Sequence, residues 1–127
     1  MSREAISTAN APAAVGPYSQ AIVADDLIFC AGQGAIDPET QELRRGTVAE
    51  ETERVLRNVG AVLDAAGVTF ADVVKTTVFM ADLGEFTAMN GVYAGFFPVP
   101  PPARSTFGVA ALPRGAKVEI ECIARRP

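Results

Sequence analysis

Histidine is absent from all 127 residues. That single absence removes Ser-His-Asp triads, imidazole metal ligands and imidazole general bases. Cysteine is scarce: Cys30 and Cys122 lie far apart, without CxxC spacing. They argue against a zinc site or a disulfide scaffold. Each sits in an apolar run, where a free thiol behaves as a small hydrophobe, so a reduced, cytoplasmic protein is expected. Positive charge is also in short supply. The net charge is -4 and the pI about 4.8, a poor footprint for nucleic acid. The pairs Arg44-Arg45 and Arg125-Arg126 are short basic exceptions. Met1-Ser2-Arg3-Glu4-Ala5 lacks an apolar signal-like core, and no apolar run approaches a membrane-spanning length. The expectation is an untargeted, soluble chain with no membrane and no nucleic-acid partner. The glycines form neither GxGxxG nor a P-loop, so no nucleotide motif is present.

What is there suffices for one domain over residues 1–127. Hydrophobic residues make up 49% and charged residues 20% of the chain, enough for a sizeable core. Residues 4–8 read as a short edge strand, and residues 18–24 and 27–33 as a hairpin around Asp25-Asp26. Residues 34–46, with Asp37-Pro38 and Gly46, read as a loop. Thr47-Val48-Ala49-Glu50 is a capping box. It opens a helix whose apolar stripe is Val48, Val55, Leu56, Val59, Val62, Leu63 and Ala66, stopped by Gly67. Residues 73–81 are β-branched and strand-like. Residues 83–96 form a second amphipathic helix, ended by the Pro-rich segment. Strands follow near 103–110 and 116–124. The order β-β-β-α-β-α-β-β gives an α+β protein: a mostly antiparallel six-stranded sheet with two helices on one face. Strict alternation puts Val74, Val78 and Met80 on one face of the fourth strand and Val73, Phe79 and Ala81 on the other. A strand apolar on both faces wants cover on both, so the second sheet face is expected against another subunit.

The charge that stands out is Arg104, in Pro98-Val99-Pro100-Pro101-Pro102-Ala103-Arg104-Ser105-Thr106-Phe107. No other charge lies in that stretch. A permanently charged guanidinium with five fixed donors asks for an anion. Two readings are open: an ion pair with Glu119 or Glu121, or bidentate capture of a substrate carboxylate. In the final strand, Glu119 and Glu121 share the face opposite Val118, Ile120, Cys122 and Ala124. Both are solvated, or one lines a pocket and orients water. Glu121, deeper in the strand and followed by Cys122-Ile123-Ala124, is the better candidate for that role. Tyr18 is an interface aromatic or a site residue. Gly32 marks a bulge, or an exposed backbone donor near a ligand oxygen. Asn90 is a polar residue on a helix surface.

Taken together, Gly16-Pro17-Tyr18-Ser19-Gln20, Ala31-Gly32-Gln33, Val74-Lys75-Thr76-Thr77-Val78-Phe79, Asn90 to Phe97, Pro102-Ala103-Arg104-Ser105, and Leu112-Pro113 with Glu119-Ile120-Glu121 resemble the RidA (YjgF) family. The resemblance is colinear over essentially the whole chain. It implies a chorismate-mutase-like homotrimer with clefts between subunits. It also implies hydrolysis of 2-imino acids, such as 2-iminobutanoate and 2-iminopropanoate, to 2-oxo acids and ammonia, without a cofactor or metal. Carried over residue by residue, the family's carboxylate-binding arginine falls on Arg104 and its water-positioning glutamate on Glu121. The substrate-orienting residues fall on Tyr18, Gly32 and Asn90, and the backbone carbonyl of Thr106 shares the water with Glu121. Ala31 stands where many members have serine, and Thr106 where many have cysteine. Both changes bear on rate and side-chain preference. Arg104 and Glu121 are expected to share a cleft without closing an ion pair. The competing readings are a non-catalytic trimer that binds 2-oxo acids through Arg104, and an RNA-acting protein, which the acidic balance disfavours.

Overall fold

Thr47 starts the first helix as its capping box requires. The structure, a computed structural model, describes residues 2–127. In it the Thr47 hydroxyl accepts the Glu50 N–H at 3.2 Å, and the Glu50 carboxylate accepts the Thr47 N–H at 2.9 Å. Helix α1 (Val48–Ala65) buries all seven residues of its expected stripe. Each such aliphatic side chain stabilises the fold by about 1.5–3 kcal/mol. Gly67, at φ 80°, then takes the left-handed position that ends the helix.

Three polar residues share the buried face of α1: Glu51, Thr52 and Asn58. The Glu51 carboxylate accepts the backbone N–H of Lys117 at 2.9 Å and faces Lys117 Nζ at 3.5 Å. The Asn58 amide donates to the carbonyls of Gly34 and Ile36 at 3.0 and 2.8 Å. Glu51 and Asn58 thus tie α1 to two loops, 34–36 and 115–117, that enclose the site described below.

The strands are β1 (Arg3–Ile6), β2 (Ala21–Ala24), β3 (Leu27–Gln33), β4 (Val73–Met80), β5 (Ala103–Gly108) and β6 (Val118–Arg125). They form one sheet in the order β1-β2-β3-β6-β4-β5, antiparallel except for the β4–β5 pair. Both α1 and the second helix, α2 (Phe86–Tyr93), belong to the layer that covers one face. The fold class and element order agree with the sequence. α2 is shorter than residues 83–96 because Asp82 caps a separate 3-10 turn at Leu83–Glu85. β2 starts at Ala21 rather than at residue 18. The preceding Gln20 turns its amide inward to Thr8, Ala11 and Pro12, and so belongs to the N-terminal loop.

β4 breaks the expected alternation. Its register against β6 shifts between Val73 and Lys75, so a bulge at Val74 turns Val73, Thr76, Val78 and Met80 to the helix side. Val74 is pushed to the surface. The other face carries Lys75, Thr77 and Phe79, and is extended by Phe29 and Phe107 on neighbouring strands. Phe79 and Phe107 stack at 6.4 Å between centroids. Phe29, Val74 and Phe107 remain 43%, 47% and 52% exposed in the single chain.

Candidate active site

Arg104 lies on the edge strand β5, opposite Thr76, and therefore on the helix side of the sheet. Its Nη1 donates to Asn90 Oδ1 of α2 at 2.8 Å. The guanidinium carbon stands 4.8 Å from the Tyr93 ring centroid and 5.4 Å from that of Phe86. Phe86, Asn90 and Tyr93 follow helical i, i+4, i+7 spacing, so one face of α2 presents two rings and an acceptor. The Tyr93 hydroxyl is bonded to the Thr76 hydroxyl at 2.6 Å, and burial raises its pKa, which keeps the phenol neutral. Among the described residues, no carboxylate pairs with Arg104. The guanidinium lies over two aromatic rings, bonds one amide, and lines a cleft of ≈ 550 Å³. Of the two readings open for Arg104, the intrachain ion pair is therefore not formed. Sequence reasoning missed Tyr93 and Phe86 as its supports. Their spacing from Asn90 was the available signal.

A second pocket, of ≈ 130 Å³, brings together Tyr18, Gly32 and Glu119. β3 bulges between Cys30 and Gln33, so Ala31 and Gly32 together face one residue of β6. The bulge carries the Gly32 backbone onto the Glu119 carboxylate, and a Cβ at position 32 would overlap its Oε2. Gly32 is glycine here because of close approach. The Ala31 N–H is bonded to the Gln20 carbonyl at 2.9 Å, which fastens the bulge to the N-terminal loop. The Tyr18 hydroxyl accepts the Val15 N–H at 3.3 Å. Burial, and secondarily the negative charge of Glu121, raise the Glu119 pKa above the ordinary carboxylate range.

Glu121 does not occupy this pocket. It faces the open side of the sheet, opposite Thr77, in a depression shared with Lys75 and Phe29. The expected place of Glu121 beside Tyr18 and Gly32 is thus taken by Glu119. Depth along the strand misled because the loops, not the strand, do the enclosing. The segments around Pro12–Val15 and Pro113–Ala116 wall in the Glu119 end of β6. Thr106 lies opposite Val78 on the helix side, with its hydroxyl buried and unpartnered.

Arg104 and Asn90 also do not meet Tyr18, Gly32 and either glutamate within one chain. Glu119 is opposite Phe79 on the open face, Arg104 is opposite Thr76 on the helix face, and β4 runs between them. The expected shared cleft of Arg104 and Glu121 is absent within the protomer for the same reason.

The sequence profile of the Endoribonuclease L-PSP family matches residues 8–126. The chain belongs to this family, the RidA family. It is 51% identical over 122 residues to the 2-iminobutanoate/2-iminopropanoate deaminase of Bos taurus, covering 96% of this chain and 89% of the relative. It is 52% identical to the chloroplastic Reactive Intermediate Deaminase A of Arabidopsis thaliana, covering 96% of this chain and spanning 65% of that longer protein. The crystal structure of RidA from the Antarctic bacterium Psychrobacter superposes with a TM-score of 0.92 at 44% identity, over 96% of this chain and 98% of that one. No helix of the described residues is long and apolar enough to cross a membrane.

At Gly32, one substitution isolates carboxylate placement within this RidA fold. Gly32→Ala brings its methyl against the Oε2, Cδ and Cγ atoms of Glu119, so the side chain from Cγ outward must shift while the backbone stays in place. It is expected to leave the melting temperature within a few degrees of wild type while lowering turnover. Thermal denaturation and initial rates on one preparation check this.

Proposed function

We propose that this protein hydrolyses reactive 2-imino acids to 2-oxo acids and ammonia, at sites completed between subunits of a homotrimer. The observation that carries the proposal is Arg104: a guanidinium oriented by Asn90 and two rings, lining a cleft with no intrachain carboxylate among the described residues. A 2-imino acid supplies the missing anion through its own carboxylate. Relatives about half identical to this chain bear 2-iminobutanoate/2-iminopropanoate deaminase names.

The two half-sites define what a neighbouring subunit must do. The cleft of one protomer, with Arg104 and Asn90, faces the Tyr18–Gly32–Glu119 pocket of the next. The exposed phenylalanines of the open sheet face supply the apolar contact that joins them. Arg104 fixes the substrate carboxylate, while Tyr18 and the Gly32 backbone orient the imine. Glu119, rather than Glu121, holds the attacking water, with the Thr106 carbonyl as the second acceptor. Water adds to the C=N carbon, and its proton passes through Glu119 to nitrogen. The hydroxyl of the tetrahedral intermediate then gives its proton through Glu119 to nitrogen, and ammonia leaves as the C=O bond forms. Each turnover consumes one imine and one water and forms one oxo acid and one ammonia. The raised pKa of Glu119 brings it nearer to that of a proton acceptor working at neutral pH. Ala31 leaves the substrate without a side-chain hydroxyl at that wall, so backbone groups carry the orientation. The free thiols Cys30 and Cys122 suit a reducing compartment, and we assign the protein to the cytoplasm.

The test couples a pyridoxal-phosphate threonine dehydratase to the purified protein and follows 2-oxobutanoate release. Release is expected to accelerate with added protein until the dehydratase limits. An unchanged rate, with the dehydratase in excess, overturns the assignment.

A further inference from the structure

The pocket that holds Glu119 has a second charged wall, Arg114, which the reaction above does not use. Arg114 sits in the turn between Leu112 and Ala116 at φ 60° and ψ 15°, a left-handed conformation uncommon for a residue with a long side chain. The turn is held there from both ends. The Arg114 carbonyl accepts from Arg45 Nη2 at 2.7 Å, and Arg114 Nη1 donates to the Gln41 carbonyl at 2.6 Å. Gln41 is itself left-handed, at φ 62°, and its side-chain carbonyl accepts the Ala13 N–H of the opposite wall at 3.0 Å. The guanidinium is therefore held at the pocket wall by a backbone carbonyl rather than by an acid. No carboxylate pairs with it among the described residues.

Arg114 and Glu119 line the same pocket without forming an ion pair. Burial and, secondarily, the charge of Glu121 raise the Glu119 pKa. The pocket wall thus combines a carboxylate, Glu119, the apolar groups of Ile36, Pro113 and Ala116, and a cation, Arg114, that no carboxylate pairs with among the described residues. A short substrate side chain ending in an anion fits that set of groups.

We propose that Arg114 is a specificity-determining residue, and that the preferred substrates include 2-imino dicarboxylates whose side-chain carboxylate it binds. The proposal rests on the imine-hydrolase reading for its reaction, with the α-carboxylate kept for Arg104. A four-carbon 2-imino diacid forms when a flavin-dependent oxidase removes two hydrogens from an acidic amino acid. An oxidation of that class must supply the substrate, and hydrolysis releases the 2-oxo diacid and ammonia.

The test generates 2-iminosuccinate and 2-iminopropanoate in situ, from aspartate and alanine with the matching amino-acid oxidases. Oxo-acid formation gives kcat/KM for each. The ratio favouring the diacid is expected to fall at least tenfold in Arg114→Gln, to be partly kept in Arg114→Lys, and to fall further in Arg114→Glu. Calorimetric titration with oxaloacetate and pyruvate reads the same preference without turnover, and should lose it in Arg114→Gln. An unchanged ratio in Arg114→Gln, or wild-type protein that binds oxaloacetate no better than pyruvate, overturns the proposal. If wild-type protein hydrolyses neither imine yet shows an Arg114-dependent preference for the diacid in the titration, the specificity assignment stands and the hydrolase reading falls.

Discussion

Arg104→Ala is expected to lower kcat/KM for 2-iminobutanoate by about 30- to 4000-fold. A charged contact in a desolvated cleft typically costs 2–5 kcal/mol when one partner is removed, and each 1.4 kcal/mol is a factor of ten. The loss should reside in both KM and kcat. The carboxylate is the handle that sets the imine carbon against the water, so a loosely held substrate is also a misaligned one. Arg104→Lys should recover only part of the activity. Lysine restores a charge, but neither the bidentate fork nor the planar group that lies over Tyr93 and Phe86. Folding is not the confounding factor, because Arg104 is half-buried on an edge strand and pairs with no buried acid. Steady-state kinetics with a melting curve on the same preparation separate the two effects. An Arg104→Ala protein within threefold of wild type would mean that another cation holds the carboxylate.

How far the chain could be read from its sequence depended on where each signal originates. Local signals were legible. The capping box at Thr47, the stripe from Val48 to Ala66 and the Gly67 stop all act within a few residues, and each appears in place. That Arg104 lacks a local partner was legible for a related reason: a guanidinium in an apolar, Pro-rich stretch has few local ways to be satisfied, whereas the choice between Glu119 or Glu121 and an outside carboxylate was not. Long-range devices were not legible. The Val74 bulge depends on how β4 registers against β6, some 45 residues later in the chain. The inward turn of Glu51 and Asn58 depends on loops distant in sequence. Glu119 and Glu121 are equivalent by alternation, and what separates them is the bulge at Ala31–Gly32 and the walls around Pro12 and Pro113. The division of the site between two faces of the sheet also escapes a linear reading. It requires knowing that Arg104 pairs with Thr76 while Glu119 pairs with Phe79.

The pair of glutamates yields the second large effect. Glu119→Gln is expected to lower kcat by about 10²- to 10⁴-fold, the usual worth of a positioned general base, with a smaller change in KM because Arg104 still holds the carboxylate. Glu121→Gln should stay within a few-fold of wild type. It should also shift the acidic limb of the kcat/KM profile downward, since the charge it removes helps hold the Glu119 pKa up. The stability effect of Glu119→Gln runs the other way from its effect on rate. The fold raises the pKa of Glu119, so the folded chain binds that proton more tightly than the unfolded one. The stability associated with the protonated group is full below the unfolded pKa and is lost as pH rises through the folded value. A neutral glutamine escapes that loss, so Glu119→Gln should melt no lower than wild type at neutral pH while turning over far more slowly. Burying an ionised carboxylate against the Gly32 backbone and beside a like charge is unfavourable for folding, and it is the condition under which a carboxylate becomes a better base. A Glu121→Gln protein that loses turnover while Glu119→Gln keeps it would return the water to Glu121 and leave the enclosed carboxylate beside Gly32 without a catalytic role.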